Sequence, residues 1–361
     1  MQRGVPQSLS LIYSQHMSWL NYLETLLSTP SVTGAESLLQ KQIEQECTKL
    51  GLTSRHYLGL TQVEGTEPDS NYISIHIDRH GLVCTGPNEF QYAAFLAKYG
   101  HDNKIDSISK QTYNTLLERF IDQTVFAYDP SSGERYGDGK ISSAIYLPER
   151  ENVFFEIDDI GNVPTGCAIA YRQELKNSSS HISAQLDNIL MVAVALELFK
   201  SGYQGTALFT CQEEAGRSWH YIREFFIRKK ITPKNIIVLD TSPFPDQETA
   251  DNQGIVLRNR DSSALFNAQL TEEIEKSCQD LNLNYSFKDE YIDQQNALNK
   301  HDTGETLSYG RTELGRLIQG TKGEISGTSI QIASTGYHTD SEKVNTQSVD
   351  NCVRLLKKQL T

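Results

Sequence analysis

The chain is predicted to be an α/β protein: a mostly parallel sheet with helices on both faces, carrying an inserted, smaller β-rich domain. Three observations predict it. Strand-like and helix-like segments alternate from about residue 176 to the C-terminus, the pattern of parallel strands joined by crossover helices. The segment before residue 84 carries the same two kinds of element. Between them, residues 85–175 change texture, with short β-rich runs separated by turn clusters. The expected division is therefore a larger domain of residues 1–84 and 176–361, with 85–175 inserted; 361 residues exceed what one small core needs.

In order along the chain, residues 8–28 place Leu9, Ile12, Trp19, Leu20, Leu23, Leu26 and Leu27 at helical spacing, and Pro30 stops that helix. Thr33 with Glu36 three positions later reads as a capping box opening a second helix to about Leu50. Residues 71–77 alternate as a strand ending near His76. Within the insert, 89–99 and 107–121 look helical, while Val153–Ile157 and Ala168–Tyr171 look like strands. Phe90, Tyr92, Phe95 and Tyr99 are expected to form the core of the insert rather than a lid over substrate. Beyond it the pattern gives an apolar helix at 188–201, a strand at 206–210, a helix at about 217–229 and a buried strand Asn235–Leu239. A helix near 262–282, a strand around 328–333 and a final helix from about 346 to 359 complete it.

Composition narrows the function classes. The net charge of −13 disfavours nucleic acid, and the short basic runs Arg228-Lys229-Lys230 and Lys357-Lys358 read as solvated helix faces. Six dispersed cysteines without a CxxC pair signal neither a thiolate zinc site nor a disulfide framework, which suits a reducing compartment. The apolar stretch Leu9–Tyr13 is too short for a signal peptide, and Ile189–Leu196 too short for a membrane span. A cytoplasmic protein without membrane or nucleic-acid partners is expected.

Five motifs fall at predicted strand ends, where open α/β sheets bind ligands. They are His76-Ile77-Asp78, Leu186-Asp187-Asn188, Gln212-Glu213-Glu214, Asp240-Thr241-Ser242 and Tyr337-His338-Thr339, with Glu342 close by. Each has an ordinary structural explanation: Asp187 suits a helix cap, adjacent acids suit a helix first turn, and Asp240 before Pro243 suits a turn. Jointly they supply two imidazoles and four carboxylates, with Asp78 as a supporting residue. That is enough to hold two divalent ions and to leave a carboxylate beside the water between them. Such oxygen and nitrogen donors suit zinc, cobalt or manganese. His16, His56, His101, His181, His220 and His301 have no partner in this pattern and read as surface or core histidines.

The order His-x-Asp, Asp, Glu-Glu, Asp, His, with the long interval between His76 and Asp187, resembles the glutamyl and tetrahedral aminopeptidase family of two-metal aminopeptidases. Pro30-Ser31-Val32-Thr33-Gly34 and Phe155-Glu156-Ile157 extend the resemblance over most of the chain. It implies a zinc-aminopeptidase-like fold and hydrolysis of N-terminal residues from peptides with a free amine. It implies His76, Asp187, Glu214, Asp240 and His338 as ligands of two ions, zinc or cobalt foremost, with Asp187 bridging. Glu213 becomes the general base, and Asp78 the residue that orients His76. Assembly into a homo-oligomer through the inserted dimerisation and substrate-access domain follows as well. Ile189, Arg79 and His80 depart from the family pattern, which usually has an Arg, an acidic and an aliphatic residue there. Two other readings use the same residues: a metal-dependent deacylase acting on N-acylated amino acids, and a metal-binding scaffold without catalysis.

Overall fold

The structure, a computed structural model, describes residues 18–94, 96, 110–172, 174–302 and 306–361. Leu9, Ile12, Phe95, Tyr99, His16, His101 and the expected helical residues 107–109 lie outside them.

Four parallel strands form the middle of an 11-stranded sheet: Thr206–Thr210, Tyr72–His76, Ile236–Pro243 and Gly327–Thr335, in that spatial order. Antiparallel pairs flank them, Thr53–Tyr57 with Leu60–Glu64 on one side, and Glu342–Asn345 with His181–Ala184 on the other. All five residues of Tyr72–His76 and of Thr206–Thr210 are buried, as strands covered on both faces must be.

One helix is buried almost all round. Ile189–Lys200 (ILMVAVALELFK) exposes only its last residue and lies under the sheet with Ser18–Leu27 and Thr346–Leu360 packed outside it. Its composition explains this, since a helix apolar on every side has no polar face to give to water. The opposite face of the sheet is covered by Ser218–Lys229 and Glu313–Gly320, around Phe225, Phe226, Leu314 and Leu317.

Pairing along the central strands sets up the site. Ile236–Pro243 pairs with Tyr72–His76 only as far as Val238 opposite Ser74, and then the two strands part. The carboxyl ends at His76 and Asp240 therefore border a crevice, the place where ligands enter open α/β sheets. Asn188 reaches into that gap, its Nδ2 donating to the Leu239 carbonyl oxygen at 2.8 Å.

After Gly81 the chain leaves the sheet and builds a closed six-stranded barrel. Its strands follow the order Leu82–Gly86, Glu89–Tyr92, Asn152–Asp158, Arg135–Leu147, Thr124–Tyr128 and Ala168–Tyr171. Phe90, Tyr92, Phe120, Phe155 and Tyr171 fill its interior.

Several sequence expectations need correction. Glu89–Tyr92 is a strand, not part of a helix at 89–99; Phe90 and Tyr92 face the barrel core while Glu89 and Gln91 do not. The helix expected near 262–282 spans Ala268–Asp280, capped by Asn267, whose side chain accepts from Leu270 N. The strand ending at Leu239 continues to Pro243. The capping box does not form. Glu36 accepts instead from Gly34 N (2.7 Å) and Gln212 N (3.1 Å), and Thr33 Oγ1 donates to Asp78. Tertiary partners have taken both side chains.

Candidate metal centre

The two imidazoles and four carboxylates singled out at strand ends line one crevice, with Asp78 buried behind them. His76 closes its strand, Asp187 and Asn188 precede the buried helix, Glu213 and Glu214 follow Thr206–Thr210, and Asp240 lies late in its strand. His338 follows Gly327–Thr335 in a left-handed turn, with φ of +70° at Gly336 and +62° at His338.

Two groups of donors share Asp187. His76 Nε2 lies 3.3 Å from Asp187 Oδ1 and 3.5 Å from Asp240 Oδ1. His338 Nε2 lies 3.6 Å from Asp187 Oδ2 and 3.4 Å from Glu214 Oε1. Asp187 thus turns one oxygen to each imidazole. Within His76–Asp187–Asp240, and within His76–Glu213–Glu214, ligand atoms lie inside 4.8 Å of one another. A third such group contains His80, with Glu214 and His338.

A frame of hydrogen bonds fixes these side chains. Asp78 accepts from Glu213 N at Oδ1 (2.9 Å), and from Glu214 N (3.1 Å) and Thr33 Oγ1 (3.0 Å) at Oδ2. It therefore pins the Glu-Glu turn. The His76 Nδ1 contact at hydrogen-bond distance is the Asp78 main-chain oxygen, 3.2 Å away, with the carboxylate at 3.6 Å. Glu342 accepts from Leu186 N, Asp187 N and His338 N, each at 2.7 Å, and so ties Asp187 to the His338 loop. Sequence spacing indicated Glu342 only as a neighbour. The Asp187–Asn188 peptide bond is cis.

Electrostatics separate the imidazoles. Burial draws His76 toward its neutral form, but Asp187, Asp240 and Asp78 outweigh it and hold its pKa well above the usual histidine value. His338 is pushed the other way, by burial first and then by His80 and Arg119. His80 falls to about 3, from burial and Arg119. The Glu213 and Glu214 carboxyls are raised well above the ordinary glutamate value, by burial first and then by neighbouring carboxylates. His76 offsets part of that crowding for both carboxyls, and Arg316, 3.7 Å from Glu213 Oε1, does so further for Glu213.

The site fits divalent cations. Buried Asp187 Oδ1, His80 Nε2 and His338 Nδ1 have no aligned hydrogen-bond partner. Acids and imidazoles brought this close are what a cation cluster satisfies. Oxygen and nitrogen donors without thiolate match zinc, cobalt or manganese.

The donors line a cleft of about 250 Å³. Its opposite wall carries Arg258 and Lys288, which no motif signalled. Arg258 donates to Gln331 Oε1 (2.8 Å) and to the Tyr309 carbonyl (2.7 Å). Lys288 donates to the Pro243 carbonyl, and burial, then Arg258, lowers its pKa to about 7. Away from the cleft, His56 contacts Glu44 and Thr61, His181 contacts Asp251, and His220 stacks on Trp219. All six cysteines are free and buried, and no helix among the described residues is long and apolar enough to cross a membrane.

Comparison with known proteins agrees with this fold. The TET1 peptidase of Pyrococcus horikoshii has the same fold at a TM-score of 0.69 and 14% identity, over 95% of this chain and 99% of that one. An aminopeptidase from the archaeon Desulfurococcus kamchatkensis matches at 0.70 and 14%, over 95% and 94%. A TET aminopeptidase from a marine sediment thaumarchaeon matches at 0.69 and 14%, over 95% of each chain. No curated protein sequence matches. The M42 glutamyl aminopeptidase family matches residues 156–355, more than half of the chain. The chain belongs to the M42 glutamyl aminopeptidase family and is a metallo-aminopeptidase, a hydrolase of peptide bonds.

Proposed function

We propose that the chain removes N-terminal residues from peptides with two divalent ions, zinc or cobalt foremost, held side by side. The observation that carries this reading is Asp187, whose two oxygens face different imidazoles at 3.3 and 3.6 Å. His76 and Asp240 complete one ion's protein ligands, Glu214 and His338 the other's. When bound, such a pair lowers the pKa of a shared water and polarises the scissile carbonyl.

Glu213 is the general base. It stands beside both groups without being needed to complete either, and its raised pKa suits a carboxylate that takes a proton and later gives it to the leaving amine. Asp78 and Glu342 keep the constellation rigid through the backbone N–H groups they accept. Free peptides of modest size suit a cleft of about 250 Å³. The protein is proposed to work in the cytoplasm. Self-association through the barrel is proposed because a relative of the same fold is described as a dodecamer, and the P. horikoshii TET1 peptidase as assembling into a tetrahedron or octahedral shell.

Release of an amino acid from unblocked peptides, abolished by chelation and restored by zinc or cobalt, tests the reading; N-acylated substrates should be inert. Glu213→Gln is expected to lower kcat by ~10²–10⁴-fold with metal content unchanged. Loss of metal in parallel with activity would remove Glu213 from that role.

A further inference from the structure

The cluster contains a third imidazole besides His76 and His338. This chain has His80 there, 4% exposed and grouped with Glu214 and His338. We propose that His80 is itself a ligand, through Nε2, of the ion held by Asp187, Glu214 and His338. This rests on the two-metal reading above and extends it to an asymmetric pair, with one ion held by more protein donors than the other.

Four observations support it. His80 Nε2 lies 2.8 Å from Glu214 Oε2. Despite that closeness the nitrogen has no aligned hydrogen-bond partner and is buried. A shared cation satisfies such a pair where a ring proton pointing elsewhere does not. The His80 ring lies on the His338 ring, centroids 3.6 Å apart, so both present Nε2 to the two oxygens of one carboxylate. The remaining nitrogen is held: Nδ1 lies 2.7 Å from the Tyr92 hydroxyl, a buried barrel residue, which is the outer partner a metal-bound imidazole requires. An apolar side chain would fill the same space without burying an unsatisfied nitrogen.

Arg79, the adjacent departure, shows that the feature is specific to His80. Its guanidinium runs the other way, donating to Ser31 Oγ and the Thr29 carbonyl at the end of the first described helix. The main chain just after His80 is anchored by Gln185, which donates to the His80 carbonyl at 2.9 Å.

The test uses the full chain loaded with cobalt(II). Each cobalt-bound imidazole with a protonated remote nitrogen gives one strongly shifted, exchangeable proton NMR line. Wild type should bind two cobalt ions per chain and show an imidazole line that vanishes in both His80→Leu and His80→Gln. The tighter cobalt Kd should rise at least about tenfold in each variant. Should a variant fail to fold, the wild-type line count decides alone: three imidazole lines support the proposal and two overturn it. Unchanged lines and Kd in the folded variants also overturn it. Two cobalt ions with only two imidazole lines would sink this inference and leave the two-metal reading intact. Fewer than two ions in wild type would sink that reading first.

Discussion

The half of the cluster around His76 and the half around His338 share Asp187 yet are built by opposite means. His76 ends a fully buried central strand and sits among three carboxylates, so its position follows from sheet register and its charge from acids. His338 sits in a left-handed loop, held by Glu342 and covered by His80, and burial keeps it neutral. The contrast teaches that one half is set by the fold and the other by side chains that buttress a loop. Perturbations should therefore act unequally on the two.

The largest effect should come where the halves join. Asp187→Ala is expected to leave no tightly bound ion and no peptidase activity, as read by elemental analysis beside an aminopeptidase assay; one retained ion would mean that the halves are independent. Next come paired deletions. Asp240→Ala and Glu214→Ala should each retain about one ion per chain, from opposite halves, distinguishable in cobalt spectra. Simultaneous loss of both ions from either variant would show that the halves do not separate.

A smaller effect is expected from Glu342→Gln, which replaces an acceptor of three N–H groups by an amide with one oxygen. Metal affinity should fall ~10–100-fold, mainly in the His338 half, with both ions recovered at saturation. The smallest effect is a protonation difference. In the metal-free protein near neutral pH, nitrogen NMR should find His76 as imidazolium and His338 and His80 neutral. Its raised pKa keeps the His76 proton until the pH passes well above the usual histidine value, so loading that half at neutral pH should release a proton and tighten as pH rises. A neutral His76 would contradict the acid-crowded description.

Much of this was legible in the sequence, and what was not has physical causes. The central strands announced themselves by the alternation of 71–77, the β-rich run 206–210 and the buried apolar run before Asp240, and the ligand candidates by falling at their ends. Glu89–Tyr92 was misread because a short aromatic run fits either period; the alternation of Phe90 and Tyr92 with Glu89 and Gln91 was the available signal. Thr33 and Glu36 carry a capping signature whose side chains went to Asp78, Gly34 and Gln212, contacts made only when distant segments meet. Arg258 and Lys288 lie on segments without a motif, brought to the cleft by the fold. His80 stood out only as a departure from the family pattern, and its meaning depends on Glu214 and Tyr92, far away along the chain.

Anomalous diffraction from crystals of the zinc-loaded protein, collected on either side of the zinc absorption edge, tests the central claim most directly. Two peaks per chain roughly 3.5–4 Å apart are expected, with Asp187 between them, His76 and Asp240 on one and Glu214 and His338 on the other. A single peak, or a pair to which Asp187 is not common, would contradict it.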